Sequence, residues 1–270
     1  MTRKPGTAEG DAEALYNNRA AVPDHPAVMA RWKASAEAVR AETPSERVAY
    51  GTRARETIDL FEAEAGAPVV VFLHGGYWQA LDPSWFSGLV PAFRAHGVGV
   101  AIPAYDLCPE VPLATIVDQM RAAVGVLTER AGRWPVVFGH SAGGHLAACL
   151  LSEGRAAAAV AISGVFDLEP LIGTSLNAAL GLDAETARAL SPLGWSVPLG
   201  AMLDCVVGGD ETAAFLAQSR TMAEVWGAKG AVTRYRALPG LNHFNVLDPL
   251  FDAHSDLVAR IVELSSSSAG

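Results

Sequence analysis

The stretch Trp134-Pro135-Val136-Val137-Phe138-Gly139-His140-Ser141-Ala142-Gly143-Gly144 decides the fold. Its first half is a short apolar run with the β-branched and aromatic content of a buried strand, and residues 142–153 form a small-residue, Leu-rich run of helical character. A serine at G-x-S-x-G spacing between strand and helix reads as a nucleophile elbow. The serine sits in a strained turn, and the glycines two before and two after it lie where a Cβ would clash with neighbouring backbone. Ser141 is thereby lifted off the sheet at a helix N-terminus, whose amides can stabilise negative charge.

Outward from the elbow, apolar runs at 68–73, 98–104, 157–165, 202–207 and 232–238 read as strands. Between them, residues 83–96, 113–130, 212–227 and 245–264 read as helices. Ile116, Met120, Val124 and Leu127 share one face of the second. Residues 47–63 alternate well enough for a leading antiparallel pair. The pattern predicts an α/β fold with a mostly parallel central sheet and helices on both faces. A helix-favouring segment within 13–41 and a broken helical excursion at 169–193 are expected to form a small lid. The whole chain, 1–270, is expected to be one domain with frayed ends at 1–12 and 265–270.

Composition narrows the function. The formal net charge is −9 and no basic run occurs, which argues against a nucleic-acid partner. No apolar run approaches the roughly 18 residues of a membrane span, and the polar N-terminus has no apolar signal region. A cytoplasmic protein with no membrane partner is expected. Cys108, Cys149 and Cys205 are widely spaced in apolar surroundings and read as reduced core residues. Neither His-x-x-x-His nor Cys-x-x-Cys pairs appear with partners, so no metal or other cofactor is expected.

A serine nucleophile needs a base, an acid to orient that base, and donors for the oxyanion. Downstream of Ser141 the histidines are His145, His243 and His254. His145 lies one turn into the elbow helix and points along it, and His254 reads as a solvated mid-helix residue. His243 sits in the Gly- and Pro-punctuated loop Leu238-Pro239-Gly240-Leu241-Asn242-His243-Phe244, which makes it the candidate base. Val207-Gly208-Gly209-Asp210-Glu211-Thr212 ends a strand and opens a helix, offering two adjacent carboxylates. Only one can face the imidazole; the other is then an ordinary N-terminal helix charge, and Asp204 is a weaker third choice. The amides of Gly75, Gly76 and Ala142 are the candidate oxyanion donors. A phosphate cradle at His74-Gly75-Gly76 is the competing reading, but no Lys-Ser/Thr follows and Tyr77-Trp78 would crowd a phosphate. His74 is expected to brace the loop.

With these residues in place the chain resembles the kynurenine formamidase (arylformamidase) branch of the α/β hydrolases. The resemblance rests on His74-Gly75-Gly76-Tyr77-Trp78, residues 105–111 (YDLCPEV), residues 139–145 (GHSAGGH) and Ser163-Gly164-Val165-Phe166-Asp167. Residues 16–26 (YNNRAAVPDHP) and Phe215-Leu216-Ala217-Gln218-Ser219 extend it over nearly the whole chain. The serine motif is shared by very many esterases; the Tyr-Trp after His-Gly-Gly is more telling. The resemblance implies Ser141 as nucleophile, His243 as base, and Gly75, Gly76 and Ala142 as amide donors. It favours Glu211 over Asp210 as the acid, three residues after Gly208 and four before Phe215.

The implied reaction is hydrolysis of an aryl formamide such as N-formyl-L-kynurenine through a formyl-serine intermediate. Tyr77 and Trp78 are expected to stack on the aromatic leaving group, with packing under the loop as the alternative. A carboxylesterase for short aryl or alkyl esters is the nearest rival, and another small-molecule amidase is open too, because substrate scope lives in the pocket. A non-catalytic binder on the same fold is the distant one. The expected partner is a small-molecule formamide or ester, and a homodimer is compatible with the chain.

Overall fold

The computed structural model describes residues 9–267, with side chains for 12–266. Three helices lead: α1 (Glu9–Tyr16), α2 (Asn18–Ala21) and α3 (His25–Glu42). They are followed by β1 (Glu46–Ala49), β2 (Thr57–Phe61), β3 (Val69–Leu73), α4 (Val90–Arg94), β4 (Gly99–Pro103), α5 (Leu113–Ala131), β5 (Val136–His140), α6 (Ala142–Ser152) and β6 (Ala158–Ile162). After two short helices, α7 (Asn177–Leu180) and α8 (Ala184–Ala189), the chain closes with β7 (Met202–Gly208), α9 (Ala213–Ala228), β8 (Val232–Leu238) and α10 (Asp256–Ser267).

The strands form one eight-stranded sheet in the order β1-β2-β4-β3-β5-β6-β7-β8. β1 and β2 are antiparallel to their neighbours, and from β4 to β8 every pairing is parallel. The expected α/β class, with an antiparallel start and a parallel body, is the one observed.

Strands covered on both faces must be apolar throughout, which is why their sequences read as unbroken runs. Val71, Leu73, Val137 and Ala161 point into one core with the buried faces of α5, α6 and α9. Val70, Phe72, Val136 and Phe138 point into the other, against α3, α4 and α10. The stripe on α5 is buried as its spacing requires: Ile116, Met120 and Val124 are fully buried and Leu127 nearly so. Each contributes about 1.5–3 kcal/mol of burial. Gly132 ends that helix in the left-handed conformation, at φ 70°.

Two expected helices are broken. Residues 83–96 form two 3-10 turns, Pro83–Trp85 and Ser87–Leu89, before α4, because Pro91 lacks an amide hydrogen and its ring excludes a continuous helix through the preceding turn. Residues 245–264 begin as a 3-10 segment, Asn245–Phe251, that contains Pro249, and α10 starts only at Asp256. His254 therefore lies in the exposed turn between them and not within a helix. α1 begins at Glu9 and α10 runs to Ser267, so each reaches into an expected frayed end. The rest of those expected frayed ends, residues 1–8 and 268–270, lies outside the described residues.

Parallel strands all point the same way, so the loops leaving β3, β5, β6, β7 and β8 gather at one edge of the sheet. The register makes this explicit: Leu73 pairs with Gly139, His140 with Ile162, and Gly208 with Leu238. Every candidate catalytic residue lies just beyond one of these strand ends.

Candidate active site

Ser141 sits between β5 and α6 at φ 55°, ψ −116°, a strained conformation for a residue with a side chain. Its amide donates to Ile162 O at 2.8 Å. The flanking glycines are demanded by close backbone approach. A Cβ on Gly139 would lie 2.2 Å from Gly143 O, and one on Gly143 would lie 1.8 Å from Leu73 O.

His243 comes from the loop after β8 and is buried. Its Nδ1 lies 2.6 Å from Glu211 Oε2. A carboxylate can only accept, so Nδ1 donates, and the neutral imidazole held this way has its lone pair on Nε2. Glu211 Oε1 accepts from the Gly208 amide at 2.8 Å and from the Ser163 hydroxyl. These three donors orient a carboxylate whose side chain is fully buried. Asp210, by contrast, is exposed. Asp204 pairs with Arg260 Nε at 2.8 Å instead. Of the three carboxylates, the geometry brings Glu211 alone to the imidazole.

Two further residues surround the base. His140 Nε2 lies 2.8 Å from His243 O, and the two rings are 4.8 Å apart. Burial and the neighbouring His243 hold the His140 imidazole well below its ordinary range, so it is neutral. Phe215 packs on the other side, 4.4 Å between ring centres. Ser163 and His140 lie in motifs visible in the sequence, but nothing local distinguishes them as supports. Each acts on a partner more than 40 residues away.

The loop after β3 is strained along its length: Gly76 has φ 109°, Tyr77 50°, Trp78 56° and Leu81 74°. It is held from below. Tyr105 Oη donates to His74 O at 2.8 Å, its ring stacks on His74 at 4.2 Å, and His74 Nδ1 lies 2.8 Å from Gly75 O. Arg55 donates to Tyr105 O at 2.6 Å and to Leu81 O at 2.8 Å. His74 thus braces the loop, and burial lowers its pKa to about 4. A Cβ on Gly75 would stand 3.2 Å from Ser141 Cβ, which places this backbone against the serine. The amides of Gly75, Gly76 and Ala142 have no acceptor among the described residues.

Tyr77 and Trp78 part company. Trp78 is fully buried, edge-on to His145 at 5.0 Å, so its expected contact with substrate is replaced by packing under the loop. Consecutive residues project to different sides, and only Tyr77 reaches the cavity; its hydroxyl donates to Tyr16 O at 2.6 Å. His145 lies along the elbow helix, 2.7 Å from Leu190 O, and burial lowers its pKa to about 4.

Ser141 and His243 open into a cavity of about 430 Å³, within the roughly 300–1,000 Å³ of small-molecule pockets. Tyr16, Trp32, Tyr77 and Phe244 give it an aromatic wall. Its roof is shared by the two expected lid segments, which meet. Glu13 accepts from the Ser175 amide at 2.8 Å, the Ser175 hydroxyl at 3.0 Å and Asn17 Nδ2 at 3.1 Å. The body holds this roof through Thr212 Oγ1 to Leu15 O at 2.7 Å and Gln218 Nε2 to Tyr16 Oη at 2.9 Å. Among the described residues no helix is long and apolar enough to cross a membrane, and Cys108, Cys149 and Cys205 are free and buried.

A family model described as alpha/beta hydrolase fold matches residues 70–189. Kynurenine formamidase of Drosophila melanogaster is 30% identical over 232 residues, 77% of each chain. The Salmo salar enzyme of the same name is 28% identical over 241 residues, 82% of each. A candidate thioesterase from Silicibacter sp. superposes with a TM-score of 0.86 at 37% identity, covering 93% of this chain and 98% of its own. The fold, the elbow at its centre and this kinship over most of the chain lead to one conclusion: the protein is a hydrolase and belongs to the kynurenine formamidase family of α/β hydrolases.

Proposed function

We propose that the protein is a serine hydrolase that cleaves an aryl formamide, N-formyl-L-kynurenine or a close analogue, to the arylamine and formate. The observation that carries this reading is the pairing of His243 Nδ1 with Glu211 at 2.6 Å, on a cavity that Ser141 shares and that aromatic side chains wall. The kinship with the fly and fish kynurenine formamidases supports the substrate class.

In this mechanism Ser141 Oγ attacks the formyl carbon while His243 Nε2 takes its proton. Glu211 stabilises the resulting imidazolium. The oxyanion is received by the free amides of Gly75, Gly76 and Ala142, each such donor contributing about 3–4 kcal/mol to the transition state. His243 then protonates the departing aniline nitrogen, leaving formyl-Ser141. Water, deprotonated by the same imidazole, releases formate and restores the serine. A formyl group needs almost no acyl pocket, whereas the arylamine needs a flat apolar one, and Trp32, Phe244 and Tyr77 would supply it. The likeness to the candidate thioesterase favours a second reading, hydrolysis of esters or thioesters by the same residues.

The test is kcat/KM for N-formyl-L-kynurenine beside p-nitrophenyl acetate and butyrate, with Ser141→Ala as the blank. A formamide value of about 10⁴ M⁻¹s⁻¹ or more, above both esters, is expected. Ester turnover that needs Ser141, with no formamide cleavage, would replace the formamidase reading with the second one.

A further inference from the structure

Among the described residues the cavity wall carries two permanent charges, besides the buried acid behind His243, that the mechanism does not use. Arg19 and Glu13 both line it, from the leading helices that form part of its roof. They do not pair with each other: no ion pair joins them, and Arg19 has neither a carboxylate within 4 Å nor a hydrogen-bond acceptor among the described residues. Among the described residues Arg19 is also the one lysine or arginine on the cavity wall. Glu13 is held in place by three donors from Ser175 and Asn17. A carboxylate has about four acceptor positions, so one is left.

A lone cation would favour any anionic ligand, and a lone carboxylate any cationic one. Opposite charges lining one cavity, Glu13 pinned by its donors and Arg19 left without a partner, instead match a ligand that carries both signs side by side. We propose that Arg19 and Glu13 form a subsite for the α-amino-acid end of the leaving amine, Arg19 taking the carboxylate and Glu13 the ammonium. The inference rests on the formamidase reading and adds what that reading lacks, a reason for the enzyme to prefer a zwitterionic arylamine over a plain one. A planar guanidinium can take a carboxylate through two parallel hydrogen bonds. Tyr16, which lies between the two residues along the chain, is held by Gln218 and Tyr77, so the segment that carries both charges is anchored to the body of the fold.

The test uses the full chain and three ligands: N-formyl-L-kynurenine, its des-amino carboxylate, and neutral 2′-formamidoacetophenone. Calorimetric titration of Ser141→Ala protein reads binding without turnover. The zwitterion is expected to bind about tenfold or more tighter than the neutral compound, the gain of one charge-assisted pair. Adding Arg19→Gln should collapse that preference ratio, Arg19→Lys should restore part of it, and Arg236→Gln, the same charge change on β8, should leave it intact. Equal affinities for the zwitterion and the neutral compound, no binding of either, or an Arg19→Gln variant that keeps the ratio would overturn the subsite. The two readings fail separately. Wild-type protein that cleaves the neutral formamide as well as the zwitterion keeps formamidase activity and loses the subsite. Protein that binds the zwitterion selectively and cleaves no formamide keeps the subsite and loses the formamidase.

Discussion

Replacing Gly143 by alanine puts a single methyl group between the elbow helix and the strand that carries the oxyanion loop. The new Cβ would stand 1.8 Å from Leu73 O, 2.5 Å from Leu73 C and 2.9 Å from His74 O. All three atoms are backbone, so no side chain can rotate away. Ordinary contact begins near 3.4 Å, and the two elements must part by about 1.6 Å to reach it. Overpacking of this kind costs about 1–3 kcal/mol of stability. Its effect on turnover is larger, because Leu73 and His74 lead directly into Gly75 and Gly76. A misplacement of about 1 Å in a catalytic site costs roughly a hundredfold in rate. The assay is the urea midpoint together with kcat/KM on a short aryl ester. Gly125→Ala is the control: Gly125 lies inside α5 with nothing within 4 Å of an added Cβ, so it should gain about 0.8–1 kcal/mol from helix propensity. Gly143→Ala protein with wild-type stability and kcat/KM would refute the argument that the turn requires glycine for space.

Exchange of the two neighbouring carboxylates separates their roles. Glu211→Gln should lower kcat/KM by about 10³–10⁴ by fixing the wrong tautomer of His243, whereas exposed Asp210→Asn should change it less than about twofold; equal losses would show that the Glu211 pairing does not set the base. Acid should destabilise the protein through His74 and His145, which burial holds near pKa 4 against an ordinary 6.5. Between those values the unfolded chain binds protons that the folded one refuses, so their contribution is complete above about pH 7 and falls as pH drops towards 4. Each can cost about 3 kcal/mol by the lower end; a urea midpoint that stays level or rises from pH 7 to 5 would show that these imidazoles charge in the folded state.

The features legible in the sequence are those whose physics is local. Strand, turn and helix around Ser141 follow from a short apolar run, a glycine pair and a small-residue run, and the glycines are where backbone approaches within 2.2 Å of a missing Cβ. The parallel sheet follows from apolar strands alternating with helices, and His243 from its place in a Gly- and Pro-punctuated loop after the last strand. At 83–96 and 245–264 apolar periodicity predicts one long helix each, and Pro91 and Pro249 break it by removing a donor and crowding the preceding turn.

Tertiary structure decided whatever depends on the direction of a side chain. Asp210 and Glu211 are alternatives by residue type, with only the family resemblance favouring Glu211; the donors that select it, Ser163, Gly208 and His243, meet only when β6, β7 and β8 lie side by side. Tyr77 and Trp78 are equally aromatic, and only the left-handed turns of their loop send one into the cavity and the other into the core. Arg19 and Glu13 meet at one cavity only once α1 and α2 lie over Ser141. Local pattern determines which elements form and which residue types stand at their ends. Which of two neighbours faces the site is settled by contacts between segments far apart in the chain, and those contacts leave no period to read.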